Sequence, residues 1–213
     1  MKYEKLTELL GKQGFFDLAS VVQLTGERRA SICVQLSRWC RSGKLISLRR
    51  GMYAFPEVGT AVSVNRSVLA NSLYSPSYLS TYWALGFYGL IPEKVVMYTS
   101  VSQRVTRSFT NALGQFQYRS IKDAAFFGYK LREIGTAKIL IAEPEKALLD
   151  LWYLESGDWT QARMREMRFQ NTELVNWSRL NDYAERYQSP RLAKAAKLLE
   201  TLADKEEEGT VEL

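Results

Sequence analysis

The sequence predicts an α+β chain in two modules, and three observations carry that expectation. Helical periodicity fills residues 3–42 and gives way after Gly43 to short β-prone runs. Residues 94–142 are again β-rich, and from Glu143 the apolar spacing turns helical through about residue 204. Charge follows the same divisions. Residues 1–58 hold ten Lys/Arg against five Asp/Glu, residues 59–142 nine against three, and residues 143–213 ten against fifteen. With 213 residues, 46% apolar and 24% charged, the chain has room for one small and one medium globular domain. We place them at 1–58 and 59–213.

In the first module, a helix is expected over Tyr3–Lys12, with Leu6, Leu9 and Leu10 on one face and an end near Gly11–Gly14. Asp17 suits the N-cap of a second helix whose Leu18, Val21 and Val22 face inward, and Thr25-Gly26 closes the turn. A third helix is expected from Glu27 to Ser42. Ile32, Leu36, Trp39 and Cys40 recur at its three- and four-residue spacing as a buried stripe, with Arg28, Ser31, Gln35, Arg38 and Ser42 opposite and Arg29 and Arg41 near the edges. Leu45–Leu48 and Met52–Phe55 then read as a hairpin joined at Arg49-Arg50-Gly51. Helix, turn, helix and basic hairpin in this order describe a winged helix-turn-helix. A helix fits the DNA major groove, and a basic hairpin can lie against phosphates or the minor groove.

Between Arg28 and Lys44 there is no acid, whereas a plain surface helix mixes signs for i,i+4 pairing. The candidate DNA-binding residues are therefore Arg28, Arg29, Ser31, Gln35, Arg38, Lys44, Arg49 and Arg50. Arginine can read guanine bidentately and glutamine adenine. Lys44 also suits the negative end of the third helix. The double-stranded DNA partner fits the cationic balance of the first two segments, and the acidic last segment belongs away from it.

In the second module, residues 57–64 read as a linker and Asn65–Leu73 as a helix. Ser75-Pro76-Ser77 announces a further helix from Tyr78, ended by Gly86, Gly89 and Pro92. Strands are expected in Lys94–Val101, Gly114–Ile121, Phe126–Glu133 and Thr136–Ala142, the last buried on both faces. Helices follow over Glu145–Glu155, Trp159–Phe169, Thr172–Tyr187 and Ser189–Asp204, with a frayed tail from Lys205. Tyr78, Tyr82, Trp83, Phe87 and Tyr88 read most simply as core.

Two clusters invite a functional reading. Glu143, Glu145 and Asp150 follow a buried strand, where nucleases and nucleotidyltransferases place Mg²⁺-binding carboxylates. Their simpler role is to complement a helix N-terminus, with Pro144 in its first turn. Arg104, Arg107, Arg119, Lys122, Lys130 and Arg132 form a possible second basic patch. It could extend a DNA footprint, hold an acidic partner, or solubilise a sheet face.

The composition also excludes chemistry. The chain has no histidine, which removes Ser-His-Asp and Cys-His dyads and His-containing zinc sites, and two cysteines cannot supply a four-thiolate one. Cys33 and Cys40, seven apart on one expected helix, sit roughly 10 Å apart, too far for a disulfide. Two reduced thiols, the absence of any apolar run of about 20 residues, and a start without a secretion signal point to a cytoplasmic protein. No metal, cofactor or catalytic set is expected.

Several runs resemble the AbiEi family of antitoxins. They are Arg50-Gly51-Met52-Tyr53-Ala54-Phe55, Ser75-Pro76-Ser77-Tyr78-Leu79-Ser80 with Ala84-Leu85 and Gly89-Leu90-Ile91-Pro92, and Ile141-Ala142-Glu143-Pro144-Glu145-Lys146-Ala147-Leu148-Leu149-Asp150. The resemblance covers roughly residues 5 to 200. It implies a bacterial type IV toxin–antitoxin (abortive infection) protein with two activities. Its winged helix represses its own operon at inverted repeats, and its C-terminal domain counters a nucleotidyltransferase-like toxin encoded next door. In such systems antitoxin and toxin need not form a stable complex. Carried onto this chain, the DNA-facing residues are Arg28, Arg29, Arg38, Arg49 and Arg50. The alternatives are a stand-alone regulator whose second domain senses a ligand or dimerises, and a Mg²⁺ nuclease using Glu143, Glu145 and Asp150.

Overall fold

Helix α1 spans Tyr3–Leu10, buries Leu6 and Leu10, and tightens into a 3-10 turn over Gly11–Gln13. The computed structural model describes residues 1–56 and 64–211. Gly14, at φ 75, swings the chain into a strand that the sequence does not announce, β1 (Phe15–Asp17). Three residues are too few to show alternation, and β1 exists because β3 offers it an antiparallel partner. Asp17 caps α2 (Leu18–Thr25), its Oδ1 accepting from the Ser20 amide at 2.7 Å. Gly26 ends α2 in the left-handed region, at φ 66. Arg28 is still extended, so α3 runs Arg29–Arg41, two residues later than expected. β2 (Ile46–Arg49) and β3 (Met52–Ala54) complete a three-stranded sheet of order β1-β3-β2. Gly51 takes φ 78 at the hairpin tip.

Beyond the undescribed stretch, Asn65 caps α4 (Arg66–Leu73) through the Ser67 and Val68 amides. The next segment departs from expectation. Ser77–Leu79 form strand β4, and α5 begins only at Thr81 and runs to Tyr88. β4 lies between β5 and β9 in the sheet, so its backbone groups pair on both sides, which outweighs local helical preference. β5 (Tyr98–Ser102), β6 (Arg107–Asn111), β7 (Gly114–Ser120), β8 (Tyr129–Ile134) and β9 (Ala137–Ala142) complete the order β6-β7-β5-β4-β9-β8. β6 is also unexpected, because an exposed edge strand of polar residues carries little apolar pattern.

Helix α6 (Pro144–Leu154) starts with Pro144 in its first turn and is buried from Glu145 through Trp152. It is followed by α7 (Gln161–Glu166), a 3-10 turn at Thr172–Leu174, α8 (Trp177–Arg186) and α9 (Pro190–Val211). Asn176 caps α8 by accepting from the Arg179 amide, which sets its start five residues beyond the expected one. The expected frayed tail is instead a continuation of α9 to Val211. Among the described residues the fold is mixed α+β, with nine α-helices and two sheets. None of these helices is long and apolar enough to cross a membrane.

The expected linker at 57–64, and with it the division at 58/59, falls almost wholly outside the described residues. What is described shows contact across that division. A small core holds Leu6, Leu10, Val21, Ile32, Leu36 and Phe55, but Leu48, Met52 and Ala54 of the hairpin belong to the large core of the second part. The Asn111 side chain of β6 donates to the Leu48 carbonyl at 3.2 Å. The hairpin thus has one side in each core. Leu48→Ala should therefore cost about 2–5 kcal/mol and lower the urea midpoint of the whole chain in a single transition. Two separated transitions, with only one shifted, would show that the parts unfold independently.

Candidate nucleic-acid interface and the buried ion pair behind it

α3 is held by Ile32 and Leu36, both fully buried, and turns its other side to solvent. Arg28, Arg29, Ser31 and Arg38 are all exposed, as expected. Gln35 is not. It is half-buried, and its side-chain oxygen is sealed from solvent with no hydrogen-bond partner. At about 100° per residue, Gln35 falls about 80° from the centre of the buried stripe, whereas Val34 lies directly opposite it. Val34 is 52% exposed, and Ala30 and Arg41 share its face. A helical wheel centred on Ile32 and Leu36 puts Arg38 as far round from the stripe as Ala30, so the outer face holds Ala30, Val34, Arg38 and Arg41, of which the expected face included Arg38. Short apolar side chains there can meet a thymine methyl.

Lys44 is exposed but engaged. Its ammonium sits 5.2 Å from the centroid of the Tyr3 ring, and Tyr3 Oη donates to the Lys44 carbonyl at 2.9 Å. Arg50 is exposed at the hairpin tip, while Arg49 is half-buried and turned toward the second part. Arg49 Nη1 donates to the Arg50 carbonyl at 3.3 Å, and its Nε is buried without a partner. The two differ in exposure yet line one cleft together.

The second basic patch also divides. Sheet order puts Arg107 on one edge strand, β6, and Lys130 and Arg132 on the other, β8. Arg119 donates to the Leu154 carbonyl at 2.9 Å, and Lys122 to the Tyr187 carbonyl at 3.4 Å. Lys130 pairs with Glu143 at 3.3 Å, and Arg132 lies 5.5 Å from the Phe87 and Tyr88 ring centroids. Arg104 and Arg107 are the exception, gathering with Arg49 and Arg50 around one cleft.

Of the three carboxylates of the candidate Mg²⁺ set, Glu143 and Glu145 share Arg179 at 3.4 and 3.6 Å, and Asp150 has partners of its own. Glu143 accepts from Tyr183 Oη at 2.7 Å and faces Lys130 and Arg179. Glu145 lies in the first turn of α6, as expected, and also accepts from the Asn176 amide at 2.8 Å, which ties α6 to the start of α8. Asp150 is fully buried and accepts from Lys146 Nζ, Tyr187 Oη (2.7 Å), Tyr78 Oη (3.0 Å) and Ser80 Oγ (2.7 Å). Among the described residues no group of three or more acids or cysteines is placed to hold a metal ion.

The Lys146–Asp150 pair is hidden in the sequence, where an i,i+4 acid and base on a helix looks like ordinary surface pairing. Here Lys146 is fully buried, donates also to Tyr187 Oη at 2.6 Å, and lies 5.1–5.5 Å from the Tyr187, Phe127 and Tyr78 ring centroids. Burial pulls its ammonium below the usual lysine range, with the Asp150 charge opposing. Burial also pushes Tyr78 and Tyr187 above the usual phenol range, assisted by Asp150. Gly128, at φ 68, passes so close that a Cβ there would stand 2.9 Å from Tyr183 and 3.1 Å from the Lys146 stem. The one signal the sequence does carry is the mostly apolar company of the pair, Ala147 to Trp152.

No model of a known protein family matches the chain, and no curated protein matches it.

The buried pair and the enclosed tyrosines each generate a measurable expectation. Asp150→Ala leaves Lys146 charged and unpaired, so it should cost about 3–5 kcal/mol. Lys146→Met combined with Asp150→Leu should cost less than the two single changes added, as read by urea denaturation of the four proteins. At alkaline pH the tyrosines govern. Tyr82 and Tyr183 are pushed up to about 12, chiefly by burial. A phenol held neutral in the folded state stabilises the fold fully below its unfolded pKa near 10, and that contribution disappears as pH rises through about 12. Lys146 acts in the opposite sense, but the raised tyrosines outnumber it. The melting temperature should fall steadily from about pH 10 upward.

Proposed function

We propose that the chain is a DNA-binding transcriptional repressor that also serves as the antitoxin of a type IV toxin–antitoxin operon. In this reading residues 1–56 act as a winged helix-turn-helix, α3 enters the major groove, and the hairpin bearing Arg50 flanks it. The remainder counters a nucleotidyltransferase-like toxin, and the chain performs no chemistry of its own. The single observation that carries the DNA-binding half is the exposed, acid-free face of α3, with Arg28, Arg29, Ser31, Arg38 and Arg41 all in solvent. Such a face neutralises phosphates and releases counterions while the buried stripe fixes its position. The antitoxin half rests on the family resemblance of residues 75–92 and 141–150.

The test is a shift assay with the full chain on DNA from upstream of its own operon, over a series of salt concentrations. Arg38→Ala should weaken binding to every sequence and reduce the slope of log K against log salt by about 0.9 for each phosphate it no longer neutralises. Arg28→Ala should cost about 1–3 kcal/mol on the operator and little on unrelated DNA. Co-expression with the neighbouring toxin separates the two activities. The Arg28→Ala/Arg38→Ala chain should lose repression yet still rescue growth. Unchanged operator binding by both variants would remove α3 from the interface, and failure of the wild-type chain to rescue would remove the antitoxin role.

A further inference from the structure

The cleft between the hairpin and the second part has a character that DNA reading by α3 does not use. It encloses about 250 Å³, and Arg49, Arg50, Arg104 and Arg107 all line it, with Tyr74 and Ser75 among the other walls. No acid lines it. Among the described residues none of the four guanidiniums forms an ion pair with a carboxylate.

Three of the four lie against neutral groups, Arg107 5.9 Å from the Tyr74 ring centroid among them. The Arg104 guanidinium stacks 4.6 Å from the Tyr74 ring centroid, and its Nη1 donates to the Ser75 carbonyl at 3.1 Å. Tyr74 is itself anchored, donating from Oη to the Val105 carbonyl at 3.0 Å. Arg49 is fixed through the Arg50 carbonyl and keeps a buried, unpartnered Nε beside the cleft. Arg50 and Arg107 are exposed at its rim.

Four like charges gathered without a counter-ion repel one another, and an anion with several acceptor oxygens relieves that repulsion. Guanidiniums suit phosphoryl oxygens in particular, because their planar forks bind pairs of them. The volume lies below the ~300–1,000 Å³ common for whole drug-sized ligands, so it fits phosphoryl groups better than an entire nucleotide. We propose that this cleft is a phosphate-binding site built jointly by the hairpin and the second part, taking two adjacent phosphoryl groups from a free polyphosphate or from a nucleic-acid backbone. Because its walls come from the hairpin and from the second part, occupancy strengthens the contact between them. The site stands whether or not α3 reads an operator.

The probe is inorganic pyrophosphate titrated into the full chain by calorimetry at moderate salt. Arg107→Gln and Arg50→Gln, both at exposed positions that the fold does not need, should each weaken binding by at least about tenfold, the ~1.4 kcal/mol of one charged hydrogen bond. Arg104→Gln should do the same, with its melting temperature checked because it also covers Tyr74. Lys194→Ala/Lys197→Ala removes two charges from α9 and should leave pyrophosphate affinity unchanged. A short DNA duplex added to the pyrophosphate complex then distinguishes the sources. Displacement assigns the site to a backbone, and simultaneous binding assigns it to a free polyphosphate; either supports the proposal. Absence of pyrophosphate binding, or equal loss in the α9 control, overturns it.

Discussion

The buried pair of Lys146 and Asp150 is the constraint around which the larger part is arranged. A charge taken out of water is tolerated only when its partners are close and numerous. Asp150 meets this with four donors from three places: α6 itself, the β4 region through Tyr78 and Ser80, and the end of α8 through Tyr187. That requirement fixes α6 against the central strand of the sheet and brings Tyr187 over it. Glu145 then pins the other end of α8 through the Asn176 amide. One helix thus sets the position of another at both ends, by polar contacts inside an apolar core. Such contacts are directional in a way that leucine packing is not.

Much of this is legible in the residues. The α3 stripe, the Asp17 cap, the Arg49–Gly51 turn and strand β9 each follow from a local rule that the surroundings do not override. The elements that escape such rules share a cause. β1 and β4 have three residues each and exist because neighbouring strands accept them, β3 for the first and β5 and β9 for the second. β6 lies at a sheet edge, where polar residues are tolerated and the alternating pattern fades. Polarity alone assigns Lys146, Asp150 and Gln35 to solvent, yet the first two are fully buried and the third has its oxygen sealed in. Arg49 departs from expectation for the related reason that its neighbour Leu48 needs burial more than Arg49 needs water.

The hairpin joins the two parts of the fold. Its Arg49 and Arg50 both line the cleft shared with Arg104 and Arg107, Arg49 half-buried and Arg50 exposed. Binding on either side is felt by the same short hairpin, since Leu48, Met52 and Ala54 are locked into the larger core. The amino-terminal part is therefore seated on its neighbour through the hairpin.

The far edge of the large sheet gives the scattered cations of β8 a different meaning. An outermost strand exposes a row of amides and carbonyls that another copy of the same chain could extend. Lys130, Arg132 and Glu133 project from that rim, with Lys138 reaching Glu133 from the adjoining strand at 2.9 Å. Half-desolvating these side chains during stacking would be expensive, so they guard the rim against runaway polymerisation. Of the six cations of the expected second patch, Lys130 and Arg132 stand on this edge strand, where charged side chains disfavour strand-to-strand pairing with another copy.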